Sequence, residues 1–299
     1  MDFYGTIGPA CGQLETLQRM VEAGMTGIRM NLSHGPLTAH ADWLAMIRAA
    51  GIRQLLIDLQ GPELRIGTLA EPVTLVEGNS VRLGTDGIPC PTALVQVTQT
   101  LPGALLCTVV RGGTLQSRKS IAAPGLAVHS PALTEEDLQN LKIAKQCGVT
   151  GVMLPFVRGK ADILALRSAL EQADAADIRI FAKIENMAGV RALPEFLHLA
   201  DEIVIARGDL GNAIPLWELP RCQKQLSAAC RAAAVPFMVV TQILDSMCTR
   251  AVPTRAEVSD IYNAVLDGAA SVMLTGETAA GHYPVQAMEY LVRTARTAM

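Results

Sequence analysis

The chain has 299 residues, of which 50% are apolar and 18% are charged, and 25 Lys and Arg against 28 Asp and Glu give a net charge of −3. Intrinsically disordered chains combine low hydrophobicity with high net charge, and nucleic-acid-binding proteins usually carry a basic excess, so the composition argues against both classes. The seven cysteines are odd in number and never spaced as CxxC. They argue against a disulfide framework and a zinc site, and favour reduced thiols in the cytoplasm.

The sequence does not have the features of a membrane span or a signal peptide. Its longest uncharged stretch, residues 87–110, is interrupted by Pro89, Pro91 and Pro102. Prolines within such a stretch argue against a lipid-facing helix. The amino terminus, Met1-Asp2-Phe3, lacks a basic region followed by an apolar one. We therefore expect a cytoplasmic protein with small-molecule ligands and no nucleic-acid or membrane partner.

Short apolar runs alternate with longer helical patterns, as is typical of βα units around a parallel sheet. Several runs are apolar throughout, which indicates strands buried on both faces. The eight predicted strands are Phe3–Ile7, Gly27–Asn31, Gln54–Asp58, Gly151–Leu154, Arg179–Glu185, Glu202–Ala206, Pro236–Thr241 and Ser271–Thr275. Eight strands, each followed by a helix, predict an α/β fold of the (β/α)8 TIM barrel type.

One segment, from about Thr68 to His129, lacks an amphipathic helical pattern. It consists of short β-prone runs separated by Gly and Pro turns. The predicted strands of this segment are 73–76, 80–83, 93–97 and 105–110. We therefore predict a small all-β insertion after the third barrel strand, with the barrel formed by residues 1–67 and 130–299 and the insertion by residues 68–129.

Polar residues follow six of the predicted strands, and the active site of such a barrel lies at the carboxyl ends of its strands. Lys183 and Glu185 are two residues apart and so face the same side. Glu185 and Asp209 could supply two carboxylates to Mg²⁺ or Mn²⁺, and an ammonium beside the metal would stabilise an enolate or a transferring phosphoryl group. Taken alone, Lys183 and Glu185 are also consistent with an ordinary ion pair.

Other rim residues have similar alternatives. Arg29 and Arg65 could bind phosphate oxygens through their planar forks of donors. The segments Gly208–Gly211 and Thr275–Thr278 are predicted to be tight turns whose backbone N–H groups face an anion. The group of Asn31, Ser33 and His34 could instead cap a helix. Glu257, three residues after Thr254, is better explained as the partner in a capping box than as a catalytic group.

Seven motifs, in order along the chain, resemble the pyruvate kinase family. They are Thr6-Ile7-Gly8-Pro9-Ala10, Asn31-Leu32-Ser33-His34-Gly35, Gly61-Pro62-Glu63-Leu64-Arg65, Lys183-Ile184-Glu185-Asn186, Ala206-Arg207-Gly208-Asp209-Leu210-Gly211, Pro253-Thr254-Arg255-Ala256-Glu257 and Gly276-Glu277-Thr278-Ala279. One tetrapeptide would be weak evidence, whereas seven in the family's order are specific.

The resemblance implies a role for each matching residue. Lys183 would be the cation at the transferring phosphoryl group, Arg29 would contact phosphate, and Thr241 would lie near the methylene carbon that is protonated. The divalent metal would be held by Glu185 and Asp209, and a monovalent site for K⁺ would be lined by Asn31, Ser33 and Asp58. The substrate carboxylate would be held by Gly208 and its loop, and the nucleotide would be contacted by His34, Arg65 and Lys119. Two further rim residues are Thr275 and Glu277.

The sequence also departs from the family. A lid strand that reads roughly Asp-Asp-Gly is absent around Leu101–Leu105, and Leu59 replaces a threonine found in many members, although Glu63 matches the K⁺-dependent type. The family's carboxy-terminal domain has no counterpart in this sequence, so we expect no effector control of the usual kind.

The leading hypothesis is a pyruvate-kinase-type phosphotransferase that converts phosphoenolpyruvate and ADP into pyruvate and ATP. We expect Mg²⁺ or Mn²⁺ as cofactor, possible use of K⁺, and a homo-oligomer. Because the lid is short, two alternatives stay open: metal-dependent enolate chemistry on pyruvate or oxaloacetate without a nucleotide, and a non-catalytic barrel that binds phosphoenolpyruvate.

Overall fold

The computed structural model describes residues 1–62, 69–84, 94–102, 104–115 and 130–299. The chain forms two compact units. The first comprises Met1–Gly61, Ser130–Gly211 and Pro215–Met299, and the second comprises Pro62–His129 with Asn212–Ile214. Among the described residues, none of the helices is both long and apolar enough to cross a membrane.

The first unit opens with two βα repeats and a third strand. Its elements are β1 (Asp2–Thr6), α1 (Leu14–Glu22), β2 (Gly27–Asn31), α2 (Ala41–Ala49) and β3 (Gln54–Asp58). Short 3-10 turns at Leu32–His34 and Leu37–His40 lie between β2 and α2. Helix α1 packs Leu17 and Met20, both buried, towards the barrel, whereas Leu14 at its start is 38% exposed.

The second unit contains antiparallel strands, as predicted for the insertion. They are β4 (Val73–Leu75), β5 (Ser80–Gly84), β6 (Leu94–Leu101), β7 (Ala104–Arg111) and β8 (Gly113–Leu115). β4 pairs with β8, and β7 pairs with both β5 and β6. The short strand β8 was not predicted, since Gly112 and Gly113 gave that segment the character of a turn.

The remaining βα repeats complete the first unit. They are α3 (Glu135–Ala144), β9 (Gly151–Leu154), α4 (Lys160–Gln172), β10 (Arg179–Ile184), α5 (Met187–Phe196), β11 (Glu202–Ala206), α6 (Arg207–Ala213), α7 (Leu219–Ala232), β12 (Phe237–Val240), α8 (Arg255–Leu266), β13 (Ser271–Met273), α9 (Gly276–Ala279) and α10 (Pro284–Ala298). Further 3-10 turns occupy Leu197–Leu199, Leu216–Glu218 and Asp245–Cys248.

Eight of the described strands close into a parallel barrel in the order β1-β13-β12-β11-β10-β9-β3-β2, with β2 returning to β1. The TIM-barrel prediction is therefore confirmed. Successive side chains of a strand point to opposite faces, so alternate residues fill the interior. Leu56, Met153 and Phe181 belong to one buried interior cluster. Two residues further along their strands, Asp58 and Lys183 reach the carboxyl end of the same interior.

Local capping signals explain two helix starts. Thr134 and Asp137 form a reciprocal capping box at α3, and Thr254 and Glu257 form one at α8. Each box satisfies backbone donors that an α-helix leaves unpaired at its amino end. The start of α8 was predicted from the spacing of Thr254 and Glu257.

The two predicted tight turns are wrong in detail. The Gly208–Gly211 segment lies in the helix α6, and Gly276 begins the helix α9. Glycine-rich spacing favours turns, but packing outweighs that preference here, because Leu210 is fully buried and Thr278 is buried with its hydroxyl bonded to the Thr6 carbonyl.

Candidate active site

The centre of the carboxyl-end rim is Lys183, whose ammonium lies between two carboxylates. Its Nζ is 3.1 and 3.2 Å from the two oxygens of Asp58 and 2.9 Å from Oε1 of Glu185. The Lys183 side chain is only 13% exposed. The ion pair considered in the sequence therefore exists, but it is buried and is shared with a third residue from another strand.

Arg29 joins this cluster through Asp58. Its Nε and Nη2 both donate to Asp58 Oδ2, at 3.1 and 2.5 Å. The register of β2 against β3 pairs Asn31 with Asp58, which brings the end of β2 beside that carboxylate. The Asp58 side chain is 3% exposed, so two cations from separate strands converge on one buried anion.

Burial and neighbouring charges have opposite effects on the pKa values of Asp58 and Lys183. Burial alone would raise the pKa of Asp58, but Lys183 and Arg29 hold it below its ordinary value. Burial alone would lower the pKa of Lys183, but Asp58 and Glu185 raise it above its ordinary value. Lys183 is thus a permanent cation at neutral pH, because nearby carboxylates outweigh its desolvation.

Glu185 and Asp209 are the residues predicted to hold a divalent cation. Burial raises the pKa of Glu185, and the nearby charge of Asp209 adds to that effect. Oε2 of Glu185 accepts a 2.8 Å hydrogen bond from the Phe156 N–H, which orients the carboxylate. Phe156 itself has a left-handed φ of 52°.

The donor set fits Mg²⁺ or Mn²⁺ better than zinc. Both predicted ligands are carboxylates, the hard oxygen donors that Mg²⁺ prefers. Within the part of the chain that the structure describes, no group of three or more His, Cys, Asp or Glu could hold a metal ion by itself. A Mg²⁺ ion commonly keeps waters and substrate oxygens as its other ligands, which suits a site with two carboxylates.

Asn31 shows the capping interaction that the sequence left open. Its Oδ1 accepts a 3.2 Å hydrogen bond from the Ser33 N–H at the start of the Leu32–His34 turn. His34, at the end of this turn, is exposed. This contact does not test the assignment of Asn31, Ser33 and Asp58 to a monovalent cation.

Thr241 follows β12 and has an unusual backbone. Its φ is 77°, and that of Gln242 is 53°. A β-branched residue rarely adopts the left-handed region, and such strain is concentrated at functional sites. A Cβ at Gly208 would lie 2.9 Å from Thr241 Cγ2, so glycine at 208 permits the threonine to approach the α6 backbone.

The rim residue Glu277 connects two loops. Its carboxylate accepts hydrogen bonds from the Leu244 N–H at 3.0 Å and the Thr275 N–H at 2.7 Å, and Thr275 Oγ1 donates to it at 3.2 Å. Glu277 is 1% exposed, so its contacts are those of a residue that joins the loops after β12 and β13. Glu257 accepts from Ser246 and Thr254, in line with its predicted capping role.

Sequence reasoning missed three contributors. Arg207 lay in a quoted motif without a role, and Asp260 carried no local signal; their side chains form an ion pair of 2.6 Å. Phe156 was also missed, because a backbone donor leaves no mark on composition. Glu63, Arg65 and Lys119 lie outside the described residues.

Comparison with known proteins matches the sequence to one family. The family model described as pyruvate kinase, barrel domain, matches residues 2–93 and 91–288. The pyruvate kinase of Bacillus licheniformis is 36% identical over 95% of this chain and 54% of its own length. The Thermococcus litoralis pyruvate kinase is 37% identical over 98% of this chain and 68% of its own. Human pyruvate kinase PKLR is 37% identical over 98% of this chain and 58% of its own.

The chain therefore spans little more than half the length of the Bacillus and human relatives. The match nevertheless covers the barrel and the rim cluster described above. The chain belongs to the pyruvate kinase family.

Proposed function

We propose that this chain transfers the phosphoryl group of phosphoenolpyruvate to ADP and yields pyruvate and ATP. The observation that carries the proposal is the buried ammonium of Lys183, held by Asp58 and Glu185 at the carboxyl end of the barrel. Relatives named pyruvate kinase support the same reaction class.

The arrangement suits phosphoryl transfer because that reaction needs positioning and charge neutralisation. Lys183 is fixed by two carboxylates, so its charge needs no reorganisation when negative charge develops on the substrate. Arg29 adds a second cation that Asp58 orients from the neighbouring strand. Arg29 would bind the phosphate, and Lys183 would neutralise the phosphoryl group in transfer.

Glu185 and Asp209 would hold Mg²⁺ or Mn²⁺, and the Gly208–Gly211 segment would hold the substrate carboxylate. The divalent ion supplies charge neutralisation and a template for substrate oxygens. Asn31, Ser33 and Asp58 offer oxygen atoms suited to K⁺. These ligand assignments follow the family resemblance together with the donor chemistry of the residues.

Thr241 would act after transfer. The enolate left by phosphoryl transfer takes up a proton at its methylene carbon: the C=C electron pair forms the new C–H bond, and the enolate oxygen becomes the ketone oxygen. Thr241 would lie near that carbon. The remaining proposed assignment is to the nucleotide, which would be contacted by His34, Arg65 and Lys119. Homo-oligomerisation and a cytoplasmic location stay predictions.

The experiment is pyruvate formation from phosphoenolpyruvate with ADP and Mg²⁺, measured with and without K⁺. Lys183→Gln should abolish turnover, whereas Lys145→Gln should not, because Lys145 pairs with Asp177 on the surface, with side chains 50% and 69% exposed.

Two controls separate the alternatives. Decarboxylation of oxaloacetate by the same preparation, with no ADP-dependent pyruvate formation, would replace the proposal with nucleotide-independent enolate chemistry. Phosphoenolpyruvate binding by calorimetry with neither activity would replace it with a non-catalytic binding barrel.

A further inference from the structure

The loop after β12 is held in a strained conformation by a residue with no assigned role. Thr241 and Gln242 both have left-handed φ values, 77° and 53°, and neither is glycine. Two consecutive residues in this region require contacts that outweigh the local preference of the backbone. The contacts come from Arg207, the first residue of α6.

Arg207 holds both strained carbonyls. Its Nε and Nη2 donate to the Thr241 carbonyl at 3.1 and 2.7 Å, and Nη2 also donates to the Gln242 carbonyl at 3.1 Å. Its Nη1 donates to Asp260 Oδ2 on α8 at 2.6 Å. The Arg207 side chain is 11% exposed. The guanidinium is thus committed to the loop and to α8.

The consequence falls on the Thr241 side chain. Its methyl group lies against the Gly208 backbone, where a Cβ would approach Cγ2 to 2.9 Å. Among the described residues, no hydrogen bond holds the Thr241 hydroxyl. The direction of that hydroxyl is therefore set by the backbone of Thr241, which Arg207 holds.

We propose that Arg207, anchored by Asp260, is a positioning residue that keeps Thr241 in its left-handed conformation and so aims its hydroxyl at the carbon that is protonated. The inference rests on the proposed function for the identity of that carbon. The clamp itself, defined as Arg207, Asp260 and the Thr241–Gln242 backbone, rests on the contacts alone.

The first test is structural and needs no activity. A crystal structure of the Arg207→Met variant should show Thr241 and Gln242 outside the left-handed region. An unchanged φ at Thr241 in that variant would overturn the clamp. Asp260→Asn keeps the guanidinium and serves if Arg207→Met fails to fold; it should raise the atomic displacement of the Thr241–Gln242 segment, and an unaltered segment there would count equally against the clamp.

The second test is kinetic. Arg207→Met should lower kcat for pyruvate formation by about ten- to a hundredfold, since small misplacements of a reacting group have effects of this size, while the KM for phosphoenolpyruvate changes less than about threefold. Arg207→Lys should recover little, because an ammonium lacks the planar fork. The control is Arg221→Met, whose side chain is 72% exposed and pairs with Glu218.

A rescue variant distinguishes positioning from a general structural role. Adding Gln242→Gly to Arg207→Met should restore part of kcat, because glycine enters the left-handed region readily. A large rise in KM together with the fall in kcat, and no recovery in the Gln242→Gly double variant, would contradict the inference. If the wild-type chain forms no pyruvate at all, the proposed function fails, and the crystallographic test of the clamp is unaffected.

Discussion

Both ends of the barrel contain buried carboxylates, but among the described residues the cations that contact them are largely buried at the carboxyl end and exposed at the amino end. At the carboxyl end, Lys183 and Arg29 are each 13% exposed and contact Asp58. At the amino end, the partner of buried Glu202 is Arg179, which is 42% exposed. A buried carboxylate therefore occurs at both ends, and the proposed site differs from the opposite end in the burial of its cations.

Neutral groups also take part in the contacts at the amino end. Ser271 Oγ donates to Glu202 at 2.5 Å, and the Tyr4 hydroxyl donates to Gln54. These residues lie at or near the first positions of their strands. In TIM barrels, residues at the amino-terminal face usually contribute to stability rather than to catalysis.

The pKa values of Asp58 and Glu202, one buried carboxylate from each end, are shifted in opposite directions. Burial raises the pKa of Glu202, because the hydrogen bond from Ser271 and the charge of exposed Arg179 do not offset desolvation. The pKa of Asp58 is lowered despite comparable burial, because two nearly buried cations contact it. Ionisation of Asp58 thus stabilises the fold, whereas ionisation of Glu202 opposes it.

The largest expected effect is on activity at the carboxyl end. Lys183→Met should lower kcat for phosphoryl transfer on the order of 10⁴-fold, the size of effect seen when a cation is removed from such a transition state. Arg179→Met, the matched change at the amino end, should leave kcat within about twofold. Steady-state kinetics of both variants measures the contrast, and equal losses would show that the two ends do not differ in chemistry.

The next effect is on stability. Asp58→Asn should lower the free energy of unfolding by at least about 3 kcal/mol at pH 7, because two buried cations lose their anion. Since the folded-state pKa of Asp58 lies below the ordinary value of about 3.9, its stabilisation is present above that pH and is lost as the pH falls through the folded-state value. Urea unfolding of both proteins from pH 7 to pH 3 should show the difference shrinking with acid; a constant difference would refute this account.

Addition of Mg²⁺ should stabilise the carboxyl end specifically. At a concentration one hundred times its Kd, the ion should add about 2.7 kcal/mol to the free energy of unfolding. Glu185→Gln should lose this response, and Glu202→Gln should keep it. Thermal unfolding with and without Mg²⁺ measures this, and an equal response of the two variants would argue against Glu185 as a ligand.

The smallest effect is expected for Glu202→Gln in the absence of metal. Its effect on the free energy of unfolding should stay within about 1 kcal/mol, because an isosteric neutral group keeps much of the packing. The raised pKa of Glu202 means that its contribution to stability is present below the ordinary value of about 4.3 and is lost as the pH rises through the folded-state value. As the pH rises from 4 to 8, the free energy of unfolding of Glu202→Gln should therefore increase relative to that of the wild type. Asp58→Asn should show the opposite trend.

Sequence reasoning succeeded where the signal was periodic or local. The barrel strands at Gly27–Asn31 and Gln54–Asp58 were predicted to the residue, because continuous apolar runs mark strands buried on both faces. The capping box at Thr254 was predicted from spacing alone. The alternation of Lys183 and Glu185 predicted that their side chains would face one side.

It did not succeed where a contact joins distant parts of the chain. Asp58 was assigned to a monovalent site, and nothing in the sequence indicates that Lys183, 125 residues away, would contact it. The pairing of Arg207 with Asp260 depends on how α8 packs beside the β12 loop. The left-handed backbone of Thr241 also has no sequence signal, because threonine disfavours it.

Phosphoryl transfer from phosphoenolpyruvate to ADP at this rim is tested most directly by a ³¹P NMR time course of the wild-type chain with phosphoenolpyruvate, ADP and Mg²⁺. We expect the phosphoenolpyruvate resonance to fall while the resonances of ATP rise in equal amount, and we expect Lys183→Met to abolish both changes. Loss of phosphoenolpyruvate to inorganic phosphate, or no loss in the wild type while Mg²⁺ binds, would contradict the claim that this rim transfers the phosphoryl group to ADP.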